Sequence, residues 1–152
     1  GISMSEKRRR SGKSLVFGVV LLLAAALWCL IKLCSGETDR ICGKTNEQRI
    51  SYISKFGWDA GITHTDVKEV RIPVRFDETY EQYNELQKQQ GFDLRKFRAC
   101  SVKEYTYALN GAEGSSVPIN AHLLVLDGEI IGADISSAEA DGFVTVLAKH
   151  TD

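Results

Sequence analysis

The side chains with the most chemical potential lie near the end of the chain. In "GADISSAEADGF", Asp134, Glu139 and Asp141 follow one another closely. Carboxylates grouped in this way suit either a hard cation or general-base chemistry. A calcium cage wants about 6–8 oxygen ligands, so this trio would make an incomplete one. The plainer reading is a turn-stabilising cluster, with Glu139 and Asp141 in solvent and Asp134 satisfied by Ser136, Ser137 and nearby backbone amides. His64, His122 and His150 are scattered along the chain. Of these, only His122 alternates with the apolar residues of a strand, where it is either a structural histidine or an acid–base partner for Asp134. The sequence contains no G-x-S-x-G elbow, no H-E-x-x-H, no phosphate-cradling loop and no paired C-x-x-C. No cofactor, metal site or catalytic residue is assigned on these grounds.

The element that must position Asp134 is a hairpin. "INAHLLVLDGEIIGADIS" is two β-rich runs joined by Asp127-Gly128, the residue pair preferred in a two-residue type I′ turn. That turn sets Val125 opposite Ile130, Leu123 opposite Gly132 and Asp134 opposite Ala121. One face then carries Ile119, Ala121, Leu123, Val125 and Ile130, and the other Leu124, Leu126, Ile131, Ala133 and Ile135. A sheet with one wet face alternates apolar and polar residues, and this one is apolar on both. Helices can cover one face. The second must be covered by "GFVTVL" (142–147), by the long loops, or by another molecule. In the last case Leu124, Leu126 and Ile131 form a binding surface for a protein or envelope partner, and Asp134, Glu139 and Asp141 are further candidate binding residues.

The preceding elements complete the domain. Thr45 caps a helix and Gln48 reaches back to it, Ile50, Ile53 and Phe56 form its stripe, and Gly57 closes it. "VKEVRIP" (67–73) alternates as a strand and stops at Pro73. A second helix runs from its cap at Asp77, through a stripe of Tyr80, Tyr83 and Leu86, to Gly91 and Phe92. "VKEYTYAL" (102–109) is a strand with Tyr105, Tyr107 and Leu109 on one face. The expected fold class is α+β, with two helices packed on one face of a largely antiparallel sheet of about four strands.

Upstream stands "KRRRSGKSLVFGVVLLLAAALWCLIKLC", in which no charge interrupts Leu15 to Ile31. A helix needs about 20 mostly apolar residues to cross the hydrocarbon core, with about 17 as the lower limit. The expected organisation is a basic tip (1–13), a transmembrane helix or signal anchor (14–34), a linker (35–44) and an α+β domain (45–152). The lipid bilayer is the expected partner of residues 15–34. Lys7, Arg8, Arg9, Arg10 and Lys13 place the N-terminus in the cytoplasm and the domain outside. Cleavage near Cys34-Ser35-Gly36 would instead release a secreted product.

Charge agrees with this division. Residues 1–36 hold six Lys/Arg against one acid, and the remaining 13 Lys/Arg face 19 Asp/Glu, so a basic tip precedes an acidic body. An acidic body does not suit nucleic acid. Among the four cysteines only Cys42 and Cys100 belong to the outer region. They could pair in an oxidising compartment, though nothing in their spacing compels a bridge.

The blocks "TNEQRISYISKFGW", "VRIPVRFDETYEQYNELQKQQGFDL", "VKEYTY" and "LLVLDGEIIGADISSAEADGF", in this order, resemble the bacterial domain of unknown function family 4830. The resemblance implies a small membrane-anchored or exported protein of Gram-positive anaerobes. It carries no activity and no catalytic residue with it. The functional expectation is therefore a non-catalytic binding module outside the membrane. Its alternative is a cell-envelope hydrolase built on Asp134 and His122.

Overall fold

The computed structural model describes residues 16–28, 40–111, 116–139 and 142–149. Two compact units divide at Asp39 and Arg40. In the first, residues 16–28 form helix α1, with the side chains exposed along its length. Among the described residues no helix is long and apolar enough to cross a membrane. The rest of the predicted 14–34 span lies outside the described residues.

The second unit is α+β. Helix α2 (Asn46–Ser54) is followed by β1 (Asp66–Arg71), α3 (Glu78–Lys88), a 3-10 helix (Leu94–Phe97), β2 (Ser101–Ala108), β3 (Ile119–Leu126), β4 (Glu129–Ser137) and β5 (Val144–Thr145). The five strands form one antiparallel sheet in sequence order. The expected count of about four falls short by β5, whose two residues give no periodic signal and which exists only through its pairing with β4.

The local chemistry of the helix ends works as expected. Thr45 Oγ1 accepts from Gln48 N while Gln48 Oε1 accepts from Thr45 N, and Asp77 accepts from Tyr80 N. At the hairpin tip Asp127 and Gly128 both have positive φ, 49° and 77°, as a type I′ turn requires. Val125 does face Ile130.

Beyond that pair the register departs from expectation. A β-bulge follows, so Leu124 faces Gly132, Leu123 faces Ala133, Ala121 faces Ile135 and His122 faces Asp134. The extra residue, Ile131, moves Asp134 from Ala121 to His122 and carries Ala133 and Ile135 onto the other face. Helix α3 helps to hold this irregularity. Gln87 Oε1 accepts from Ala133 N at 2.8 Å, and Gln90 Nε2 donates to Ala133 O at 2.7 Å. Gly132 makes room for this approach, since a Cβ there would stand 3.0 Å from Leu124 Cδ1 and 3.3 Å from Gln87 Oε1.

Both faces of the hairpin are covered, and by different helices. Tyr52 and Ile53 of α2 join Leu123, Val125, Ile130, Ala133, Ile135 and Leu147 in one core. Leu124 and Ile131 lie in a second core with Ile72, Leu94 and Val102, against which Tyr80, Tyr83 and Phe97 pack. The expectation that both helices share one face is thus corrected: α2 and α3 lie on opposite sides. The 142–147 segment does not cover Leu124 either. Its Leu147 lies in the α2 core, fixed by Trp58 Nε1 donating to Leu147 O at 2.7 Å and by Leu147 N donating to Gln90 Oε1.

Residues 41–43, expected within a linker, belong to the sheet. Cys42 bridges to Glu129, Ile130 N donates to Ile41 O, and Gly43 N donates to Gly128 O. This also separates Cys42 and Cys100, whose spacing did not compel a bridge, and both are free. Cys42 lies beyond β4 and Cys100 leads into β2, so about three strand spacings of roughly 4.8 Å intervene. A disulfide spans at most about 7 Å between Cα atoms.

Candidate functional site

The α3 face of the sheet carries a polar row where the sequence pointed to Asp134. β4 places Asp134 beneath α3, buried, where Tyr83 Oη donates to its Oδ2 at 2.8 Å. Burial raises the Asp134 pKa, while His122 and the Tyr83 hydrogen bond oppose that rise. The Tyr83 hydroxyl is pushed well above its ordinary value, first by burial and then by the Asp134 charge. His122 stands between β2 and β4, with Thr106 and Asp134 directly opposite. Its Nδ1 is 3.1 Å from Thr106 Oγ1 and its Nε2 is 2.9 Å from Ser136 Oγ. Glu104 Oε1 is 3.7 Å from Nδ1, and Lys68 Nζ is 3.4 Å from the same oxygen.

Chemically this row can relay or hold a proton, because it combines an imidazole, two carboxylates, hydroxyls and a lysine. Its polar valences are nonetheless met internally: both His122 nitrogens contact hydroxyls, and Asp134 has its phenol donor. Ser136, expected beside Asp134, instead partners His122, and the Ser137 Oγ is buried without a partner. Glu139 is exposed, and Asp141 lies outside the described residues. Among the described residues no group of His, Cys, Asp and Glu fit for a metal occurs. Leu124 and Ile131 are each 3% exposed, so they present no surface to a partner, and Leu126 is half-buried.

A second feature lies on the α2 face at the turn end of the sheet. A cavity of about 350 Å³ opens there, lined among others by Gly43, Lys44, Glu69, Lys103, Tyr105 and Asp127. Its wall is held by Arg49, the buried residue next to the predicted Ile50–Ile53–Phe56 stripe. Arg49 Nε donates to Tyr107 Oη at 3.0 Å, and Nη1 donates to Gly43 O at 2.8 Å and Lys44 O at 3.0 Å. Its guanidinium lies 3.7 Å from the centroid of the Tyr105 ring, a cation–π contact. One side chain thus ties the 43–44 segment to β2, and His64 meets the Tyr105 ring edge-on. Lys44, Glu69, Lys103 and Asp127 are exposed, and none forms an ion pair or side-chain hydrogen bond among the described residues.

Sequence reasoning missed this cavity and the partners of Asp134. Apolar periodicity passes over polar residues that fold inward, and on α3 these are Asn84 and Gln87, both fully buried. Asn84 Oδ1 accepts from Leu94 N at 2.8 Å, which docks the 3-10 helix on α3. The available signal was their placement, Asn84 four residues beyond Tyr80 and Gln87 four beyond Tyr83, on the same side of the helix.

No curated protein and no solved structure matches the chain. A family model does match residues 52–135, more than half of the sequence, from α2 into β4. That stretch takes in Tyr83, Glu104, His122 and Asp134 of the polar row and Glu69, Lys103, Tyr105 and Asp127 of the cavity. The chain belongs to the family described as Domain of unknown function (DUF4830).

Proposed function

We propose that this chain is a single-pass membrane protein whose Arg40–Asp152 unit works outside the cytoplasmic membrane as a non-catalytic binding module, with the turn-end cavity as its ligand site. The observation that carries the binding role is the cavity itself, a concave space whose rim charges Lys44, Glu69, Lys103 and Asp127 form no ion pair among the described residues. Its volume lies at the lower end of the roughly 300–1,000 Å³ usual for small-ligand sites. The membrane half of the proposal draws on the uncharged run from Leu15 to Ile31 and on the apolar side chains that α1 exposes along 16–28. The basic cluster at 7–13 supports a cytoplasmic N-terminus. Protease added to sealed, right-side-out vesicles should remove the outer unit and spare the N-terminal tip. Full protection of that unit would refute the orientation. Mass analysis should find residues 15–34 still attached, whereas a mature N-terminus at Glu37 would establish a secreted product.

A second reading, an envelope hydrolase, is favoured by one contact. Ser136 Oγ lies within hydrogen-bond reach of His122 Nε2, as a nucleophile lies near its base. Two features weigh against it. The orienting carboxylate is displaced, since Thr106 engages Nδ1 more closely than Glu104 does. Ser136 also sits in the ladder between Asn120 and Val144, which is a poor place for a backbone oxyanion hole. Covalent labelling of Ser136 by a fluorophosphonate, abolished by His122→Ala, would establish the hydrolase. An unlabelled Ser136 keeps the binding reading.

A further inference from the structure

The charges around the cavity come in two pairs, and each pair has its own wall. Glu69 and Lys103 are direct cross-strand partners on β1 and β2. Lys44 and Asp127 belong to a second wall, where 43–44 meets the hairpin turn and a Cβ on Gly128 would lie 3.2 Å from Lys44 Cβ. Each wall therefore offers one cation and one anion. Although Glu69 and Lys103 stand opposite each other, they do not close into an ion pair, whereas on the other face of the same sheet Lys68 and Glu104 do. The same cavity is lined by Tyr105, whose ring is braced by Arg49, and by Val125, which is buried.

We infer that the cavity binds a zwitterion, namely an amino acid or short peptide with free termini. This inference rests on the proposal that the cavity is a ligand site. The carboxylate bridges Lys44 and Lys103 from the two walls, the ammonium lies against Glu69 and Asp127, and the side chain rests on Tyr105 and Val125. The alternatives fit this charge pattern less well. An inorganic anion or polyanion would leave two carboxylates facing like charge, and a simple cation would meet two lysines. A neutral ligand would cover four charges without pairing any of them.

The test uses the full-length chain in detergent micelles, with Ala-Ala dipeptide as the probe and binding followed by calorimetry and by the Tyr105 and Gly128 resonances. Saturable binding is expected, with N-acetyl-Ala-Ala-amide about tenfold weaker or worse. Lys103→Gln and Glu69→Gln should each weaken the free dipeptide by about tenfold. The exchange Glu69→Lys with Lys103→Glu, which keeps both signs on the wall, should restore much of that loss. If the capped dipeptide or acetate alone binds as well as the free dipeptide, the zwitterion inference is overturned while the cavity remains a ligand site. If no probe moves either resonance, the cavity as ligand site falls as well. An unchanged near-ultraviolet spectrum in each variant identifies a lost affinity as a binding effect and not unfolding.

Discussion

Replacing Leu124 by aspartate tests which surface of the sheet is free. Leu124 is 3% exposed, packed with Ile72, Leu94, Val102 and Ile131 beneath α3 and the 3-10 helix. Truncation to alanine removes that packing and leaves a cavity, at about 2–5 kcal/mol. Aspartate forfeits the transfer energy of a buried leucine, about 1.5–3 kcal/mol, and adds several kcal/mol for desolvating a carboxylate. It would also stand directly across from Glu104, and like charges facing each other across strands repel. Small domains are stable by only about 5–15 kcal/mol. Leu124→Asp should therefore unfold the outer unit, while Leu124→Ala lowers the urea midpoint with an unchanged m-value. Val144→Asp, at a position 51% exposed, should stay within about 0.5 kcal/mol of wild type. Urea titration of the full-length chain in micelles, read by near-ultraviolet circular dichroism, gives all three values. A folded Leu124→Asp with a wild-type midpoint would mean that α3 does not cover this face, and the two-core account would be wrong.

Other perturbations test the neighbouring contacts. Gly43→Ala would bring a Cβ within 2.4 Å of Ile130 Cγ1, a core side chain, so it should cost about 1–3 kcal/mol in the same titration, and a neutral result would deny that 41–43 docks on β4. Arg49→Lys cannot reproduce the bonds to Tyr107, Gly43 and Lys44; faster hydrogen exchange at the Gly43 amide should report the loosened wall, and unchanged exchange would remove Arg49 from that role. For Asp134 the sign follows from its raised pKa: the folded state holds this proton to higher pH than the unfolded state does, so its contribution to stability is full below the unfolded value and is lost as pH rises through the folded one. Asp134→Asn should flatten that loss in stability measured from acid towards neutral pH, and an unaltered pH profile would show that Asp134 does not titrate differently in the two states.

Local signals in the chain were sufficient for the ends of α2 and α3 and for the hairpin tip. The Thr45–Gln48 box, the Asp77 cap, the stops at Gly57 and Gly91 and the Asp127-Gly128 turn are short-range hydrogen bonds and backbone preferences, and they stand where the sequence puts them. The α+β class follows from those elements in order, and the family follows from sequence alone. What lies across space was not legible. The bulge at Ile131 depends on Gln87 and Gln90 reaching Ala133 from α3, and that single inserted residue exchanges Ala121 for His122 as the partner of Asp134. Which helix covers which face, the place of β5 and 41–43 along the edge of β4 that β3 leaves open, and the cavity whose wall Arg49 holds likewise depend on contacts between distant segments. An apolar residue announces that it will be buried, but not against what; a polar residue such as Gln87 or Arg49 turns inward only when a remote partner supplies the hydrogen bonds that make its burial tolerable.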